Sequence, residues 1–334
     1  MARSETKSRQ SRQSSRTGKA KRAGPAKPAA RSMAAGRADA QEILRERAAA
    51  LRRRAAAIEA AGPSAGLRAP APAMQRMRAA GPKGIATLVA EGDSWFDYLW
   101  YDVLDFLEQQ YGYDIESVAH KGDRVEDMAY SGDELRKFSK TLEKLLRRGE
   151  VPKAILLSGG GNDVAGEEFA LLLDHARSVA PGLNEDVVRG VIDVRVRNAF
   201  VHILSAVTQL CEGLIGRKVP ILVHGYDRPV PDGRGFLGGA WVLPGPWLRP
   251  GFHQKGFPDQ AQNQQVVATL IDRFNAMLGA VAALPGFGHV HYVDLRGLLP
   301  NQQGYRQWWE NELHPTNKGF ALVAQKFQDV LQQL

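Results

Sequence analysis

The chain has 334 residues, 44% of them hydrophobic and 24% charged, which suits one large packed domain or two ordinary ones and excludes a chain disordered throughout. No apolar run reaches the ~18 residues a spanning helix needs, so a multi-span membrane protein is excluded, and the single cysteine, Cys211, rules out an internal disulfide framework or a cysteine-rich zinc site. The net charge of +8 is uneven: residues 1–82 carry 19 basic and 5 acidic groups and the remainder 25 and 31, so the basic character belongs to the N-terminal stretch and the body is mildly acidic.

Residues 1–37, mostly Ser, Arg, Lys, Gln and Ala, cannot bury enough surface to offset their ordering entropy and read as a disordered basic tail. They lack the apolar segment of a secretory signal, so the expected location is cytoplasmic, with export by a signal-independent route as the alternative. From 38 to 61 strong helix formers take over, with Ile43, Leu44, Leu51 and Ile58 near a heptad spacing. The expectation is a solvated helix ahead of the main domain; contact of this basic region with a polyanion or a partner is the alternative. Residues 62–81, rich in Pro, Ala and Gly, read as a linker, and the main domain is expected over 82–334.

In that domain short apolar runs alternate with helical spacing. Strands are predicted at 85–90, 115–119, 154–157, 221–224 and 290–293. Helices are predicted at 101–110, 133–148, 191–215, 262–283 and 315–332, the last with Pro315 in its first turn. The helix over 133–148 has Leu135, Phe138, Leu142, Leu145 and Leu146 as its apolar face. Strands separated by helices imply right-handed crossovers and an open parallel sheet covered on both faces, with ligands at the carboxyl ends of the strands. Two insertions, 164–189 and 227–262, stand outside this pattern, and the second is dense in Gly, Pro and aromatic residues.

The chemistry-bearing residues gather at the expected strand ends. Glu91-Gly92-Asp93-Ser94 follows the first strand, where a serine hydroxyl is exposed near a helix N-terminus; Ser94 or Asp93 could equally cap the next helix. His120-Lys121-Gly122-Asp123 follows the second strand, where glycine lets a backbone N–H approach an oxyanion. Gly160-Gly161-Asn162-Asp163 follows the third, and the Asn162 amide can bind developing negative charge or merely shape a turn. His314, before the last helix, can serve as general base. His224-Gly225-Tyr226-Asp227 could line the crevice, with core roles expected first, and Trp308-Trp309 could equally wall an acyl pocket or serve ordinary packing. Cys211 reads as buried. His175, His202, His253 and His291 show no metal-ligand spacing, and no P-loop is present.

Taken together, these blocks resemble the SGNH hydrolases, also called GDSL-type esterases/lipases. Gly92-Asp93-Ser94 matches the first block, with Trp95 in place of the commonest Leu. Gly122 matches the second, Gly161-Asn162-Asp163 the third and His314-Pro315 the fifth. The resemblance implies a flavodoxin-like three-layer α/β/α sandwich on a five-stranded parallel sheet. It further implies cofactor-free hydrolysis of a small-molecule, carbohydrate or lipid acyl ester, with no metal. By the same resemblance Ser94 would be the nucleophile, the N–H groups of Ser94 and Gly122 with the Asn162 amide the oxyanion hole, and His314 the base. One position departs from the family: its usual Asp three residues before the histidine is Asn311 here. Asn311 would orient the imidazole but stabilise imidazolium poorly; Glu310 or Glu312 could supply the carboxylate instead, or the site could be a Ser-His dyad. An O-acyltransferase on the same scaffold, or a weakly active domain binding a polyanion or partner through its tail, are the alternative readings.

Overall fold

The computed structural model describes residues 26–61, 84–238 and 243–334. Most of the expected basic tail and the whole expected linker lie outside the described residues. In chain order the elements are α1 (Ala26–Ala61), β1 (Thr87–Glu91), α2 (Val103–Gln109), β2 (Asp114–Ser117), α3 (Val125–Tyr130), α4 (Gly132–Arg147) and β3 (Ala154–Leu157). Next come the two-residue strands β4 (Leu173–Asp174) and β5 (Gly182–Leu183). The continuous helix α5 (Glu185–Ile215) follows. The chain closes with β6 (Ile221–His224), α6 (Arg249–Gln254), α7 (Gln260–Ala282), β7 (Val290–Val293) and α8 (Asn317–Leu331).

The runs rich in Val, Ile and Leu become strands because helices cover both faces of their sheet. β1, β3 and β6 are buried at every position. The sheet order is β2-β1-β3-β6-β7, with every pairing parallel. This is the flavodoxin-like order, in which the chain reverses direction across the sheet beside the first strand and opens a crevice at the strand carboxyl ends. α2 packs with α8, while α5 packs with α3, α4 and α7. On α4, Leu135, Phe138, Leu142 and Leu145 are buried as their spacing predicts, and Leu146 is half-buried. Helix α5 is long and apolar enough by composition to cross a membrane, but two-thirds of that window (67%) is buried inside the fold, as befits its central place among the helices.

Three expectations need correction. The N-terminal helix starts at Ala26, inside the stretch read as tail, because Ala-rich sequence gains an apolar surface to lie on. It is not a solvated appendage: Ala29, Ala40 and Ile43 are buried and α1 lies along α5. The two helices approach so closely that a Cβ at Gly36 would sit 2.2 Å from the His202 carbonyl oxygen, and one at Gly213 would sit 2.4 Å from Leu44 Cδ1. Arg47 pairs with Glu143 of α4, and Arg136 Nε lies 3.0 Å from Glu46, so part of the basic charge is spent within the fold. Finally, Pro315 precedes the last helix rather than entering it. Thr316 is the N-cap, its hydroxyl accepting the Gly319 N–H at 3.3 Å.

Candidate active site

At the end of β1 the chain must pass close beside β3. A Cβ at Gly92 would lie 2.7 Å from Ser158 Cβ, so only glycine fits. Asp93, 2% exposed, then fixes the turn: its carboxylate accepts the Trp95 N–H at 3.0 Å, the Ser158 hydroxyl at 2.6 Å and the Tyr226 hydroxyl. Neither Asp93 nor Ser94 caps a helix. The next helix starts later than its spacing predicts, because Asp102 caps it in a box with Asp105. The Ser94 hydroxyl is left free to face the crevice.

Ser94 Oγ lies 2.7 Å from His314 Nε2, and His314 Nδ1 lies 3.0 Å from Asn311 Oδ1. Asn311 is fully buried, and its Oδ1 also accepts the N–H groups of Leu313 and His314, each at 2.9 Å. Two converging backbone N–H donors require the carbonyl oxygen on that side of the amide. A carbonyl can only accept, so the imidazole carries its proton on Nδ1 and presents the Nε2 lone pair to the serine hydroxyl. The Asn311 amide donates in turn to the Tyr98 hydroxyl at 3.1 Å. The Tyr98 ring stacks on the imidazole with centroids 4.5 Å apart, and Trp247 meets it edge-on at 5.5 Å. Burial among these rings pushes the His314 pKa down to about 3.

Neither glutamate beside Asn311 holds the imidazole. Glu312 is fully buried, and its carboxylate accepts four backbone N–H groups of the second insertion: Gly233 at 2.9 Å, Trp247 at 2.6 Å, Leu248 at 2.7 Å and Arg249 at 3.1 Å. Glu310 faces the Tyr98 hydroxyl, and burial raises the pKa of both groups.

The remaining blocks converge on the same crevice. Gly122 has φ of +91°, a left-handed conformation that suits glycine. Neither its N–H nor that of Ser94 has an acceptor among the described residues. Asn162 donates one amide hydrogen to the Asp123 carbonyl at 3.0 Å and lines the crevice beside Ser94. Asp163 accepts the Val125 N–H at 2.8 Å and so ties the third block to the start of α3; burial raises its pKa to about 6.

Two spaces adjoin Ser94 and share Asn162, Leu313 and His314 in their walls. An inner chamber of about 50 Å³ is walled by Tyr226, Leu248, Leu270, Phe274 and Trp309. An outer one of about 440 Å³ is lined by Tyr98, Lys121, Gly122, Phe236 and Trp247. Trp309 thus reaches the site, whereas Trp308 lies under the Lys318 ammonium, 4.0 Å from its ring centre. Tyr226 and Asp227 line the inner chamber. His224 is fully buried, with Nε2 2.8 Å from Ser158 Oγ. Cys211 is buried, which pushes its thiol pKa up to about 12. The sequence reading missed Tyr98, Trp247 and the task of Glu312. Their partners lie far along the chain, and no spacing marks them; the only local sign is the aromatic run after Ser94.

The sequence pattern of the GDSL-like lipase/acylhydrolase family matches residues 88–327, and the chain belongs to that family of ester-hydrolysing enzymes. Among solved structures it is similar to a "possible lipase" from Chitinophaga pinensis, with 14% identity, 74% of this chain and 98% of that one covered, and a TM-score of 0.43. It is also similar to a carbohydrate acetylesterase from Sinorhizobium meliloti, with 14% identity, 74% and 99% covered, and a TM-score of 0.42. A family 3 carbohydrate esterase from Clostridium thermocellum shows 14% identity, 74% and 98% covered, and a TM-score of 0.40. A comparison with curated proteins finds no match.

Proposed function

We propose that the protein hydrolyses short-chain acyl esters through an acyl-enzyme on Ser94. The observation that carries this reading is the line Ser94 Oγ–His314 Nε2, 2.7 Å long, with Nδ1 fixed by Asn311. His314 Nε2 takes the hydroxyl proton as Oγ attacks the carbonyl carbon. The developing oxyanion is met by the N–H groups of Ser94 and Gly122 and the Asn162 amide. The imidazolium then gives its proton to the departing alcohol, and water repeats the sequence to release the acid.

Compartment size supports the short acyl group. The smaller space of about 50 Å³ is apolar and has Trp309 and Phe274 in its walls, whereas the larger one of about 440 Å³ has room for a bulky alcohol against Tyr98, Phe236 and Trp247. A carbohydrate alcohol suits such aromatic walls. The test is a p-nitrophenyl ester series of rising acyl length, run with and without an added acceptor alcohol to separate hydrolysis from transfer. Acetate and propionate should be turned over well and octanoate poorly. A fluorophosphonate probe should label the wild type and not Ser94→Ala; equal labelling of both, or a preference for long chains, overturns the reading.

A further inference from the structure

Behind the loop that carries Gly122, three carboxylates meet, two of them from the blocks at the ends of the first two strands. Glu91 ends β1, Asp123 follows Gly122, and Glu134 lies in the first turn of α4. One oxygen of each lies within 4.8 Å of the others. Glu91 is 2% exposed, and neither of its carboxylate oxygens has a hydrogen-bond partner among the described residues. The other two acids each have one engaged oxygen and one idle one. Glu134 Oε1 takes Lys137 Nζ at 2.6 Å and Asp123 Oδ1 lies 3.6 Å from His120 Nδ1, while Glu134 Oε2 and Asp123 Oδ2 are buried and unpartnered. Three neighbouring carboxylates thus keep four buried oxygens without a partner among the described residues, two of them on Glu91. A buried carboxylate without a partner is costly, and three together repel one another.

We propose that this cluster binds a hard divalent cation of the calcium class, joining the end of β1, the Gly122–Asp123 turn and the N-terminus of α4. All-oxygen donors with no nitrogen or sulfur select calcium, magnesium or manganese over zinc or copper, and calcium tolerates an irregular ligand set best. The ion takes no part in ester chemistry. It holds Asp123, whose carbonyl receives the Asn162 amide at 3.0 Å, and so braces the loop that carries Gly122.

The experiment uses the full chain stripped with EDTA and dialysed. Calcium chloride, with magnesium chloride in parallel, is followed by thermal unfolding and by titration calorimetry. Saturating calcium should raise the midpoint by roughly 4 °C or more and titrate at one ion per chain. Glu91→Gln keeps the side-chain shape but removes the buried charge; it should melt at or above the stripped wild type and lose the calcium response. Glu134→Gln, at the more accessible rim, supplies the same comparison should Glu91→Gln fail to fold. A wild type that responds to neither ion has a protonated Glu91 in place of a cation, and that result overturns the proposal. So does an undiminished calcium response in the glutamine variants.

Discussion

His314 is held at Nδ1 by a neutral amide, and burial lowers its pKa to about 3. The unfolded chain binds a proton on this residue near pH 6.5, so folding stability falls as pH drops from about 6.5 toward 3. In the folded enzyme the base stays neutral over the same range, which places the acid limb of kcat/KM well below 6.5. Asn311→Asp sets a carboxylate against the ring, favours imidazolium and raises the His314 pKa. Its acid limb should move to higher pH and its plateau rate should equal or exceed wild type; the Tyr98 hydroxyl can turn to donate to the new oxygen. A pH–rate profile on a soluble ester checks both, and an unshifted limb would detach Asn311 from the base. Asn162→Ala should lower kcat by about 10²–10³, the loss expected for one oxyanion donor, with only a small drop in melting temperature from the lost bond to the Asp123 carbonyl. At this scale Ser94, Gly122, Asn162 and His314 were legible because each sits at a strand or helix boundary, where sequence dictates a turn. The direction of Glu312 was not. Spacing along a loop says nothing of where a side chain leaves it, and only the folded insertion supplies its four N–H partners.

The strands were the most legible elements. Ala154–Leu157, Ile221–His224 and Val290–Val293 match their predicted bounds, since a short apolar run between turns has few other ways to bury itself. Helix starts drifted by a few residues because capping, not periodicity, sets them, as Asp102 and Thr316 show. Helices α3 and α6, of six residues each, gave too little periodicity to read. The second insertion looked irregular in sequence, and its order comes from outside itself. A carboxylate accepting several N–H groups contributes about 3 kcal/mol, so Glu312→Ala should lower stability by that order. The variant should also raise KM for bulky alcohol esters more than it lowers kcat, because Phe236 and Trp247 line the outer space. Calorimetry and steady-state kinetics read the two effects separately; a loss confined to kcat would mean that Glu312 acts on the base instead.

At the level of the molecule, charge and apolar contact divide the N-terminal region. Composition revealed its basicity, but docking of α1 could not be read, because Ala40 and Ile43 make only a thin stripe whose partner surface lies on α5, far along the chain. A chain starting at residue 82 should keep kcat/KM on a soluble ester, since none of the residues lining the two spaces belongs to α1. It should lose roughly 3 kcal/mol of burial, or about 6–12 °C in melting temperature at 2–4 °C per kcal/mol. A truncated chain that stays folded but inactive would place α1 in the catalytic unit.

The segment Asn311-Glu312-Leu313-His314 performs two tasks: His314, held from behind by Asn311, faces the serine, while Glu312 staples the aromatic insertion. Substrate range and proton transfer are therefore not modular in this enzyme. An insertion of altered length should displace the N–H groups that Glu312 accepts, and the strain should pass along two peptide bonds to the imidazole. Directed evolution toward new alcohols should accordingly find its gains in Phe236 and Trp247 side chains rather than in loop length, and loop-length changes should succeed only with compensating changes at position 312.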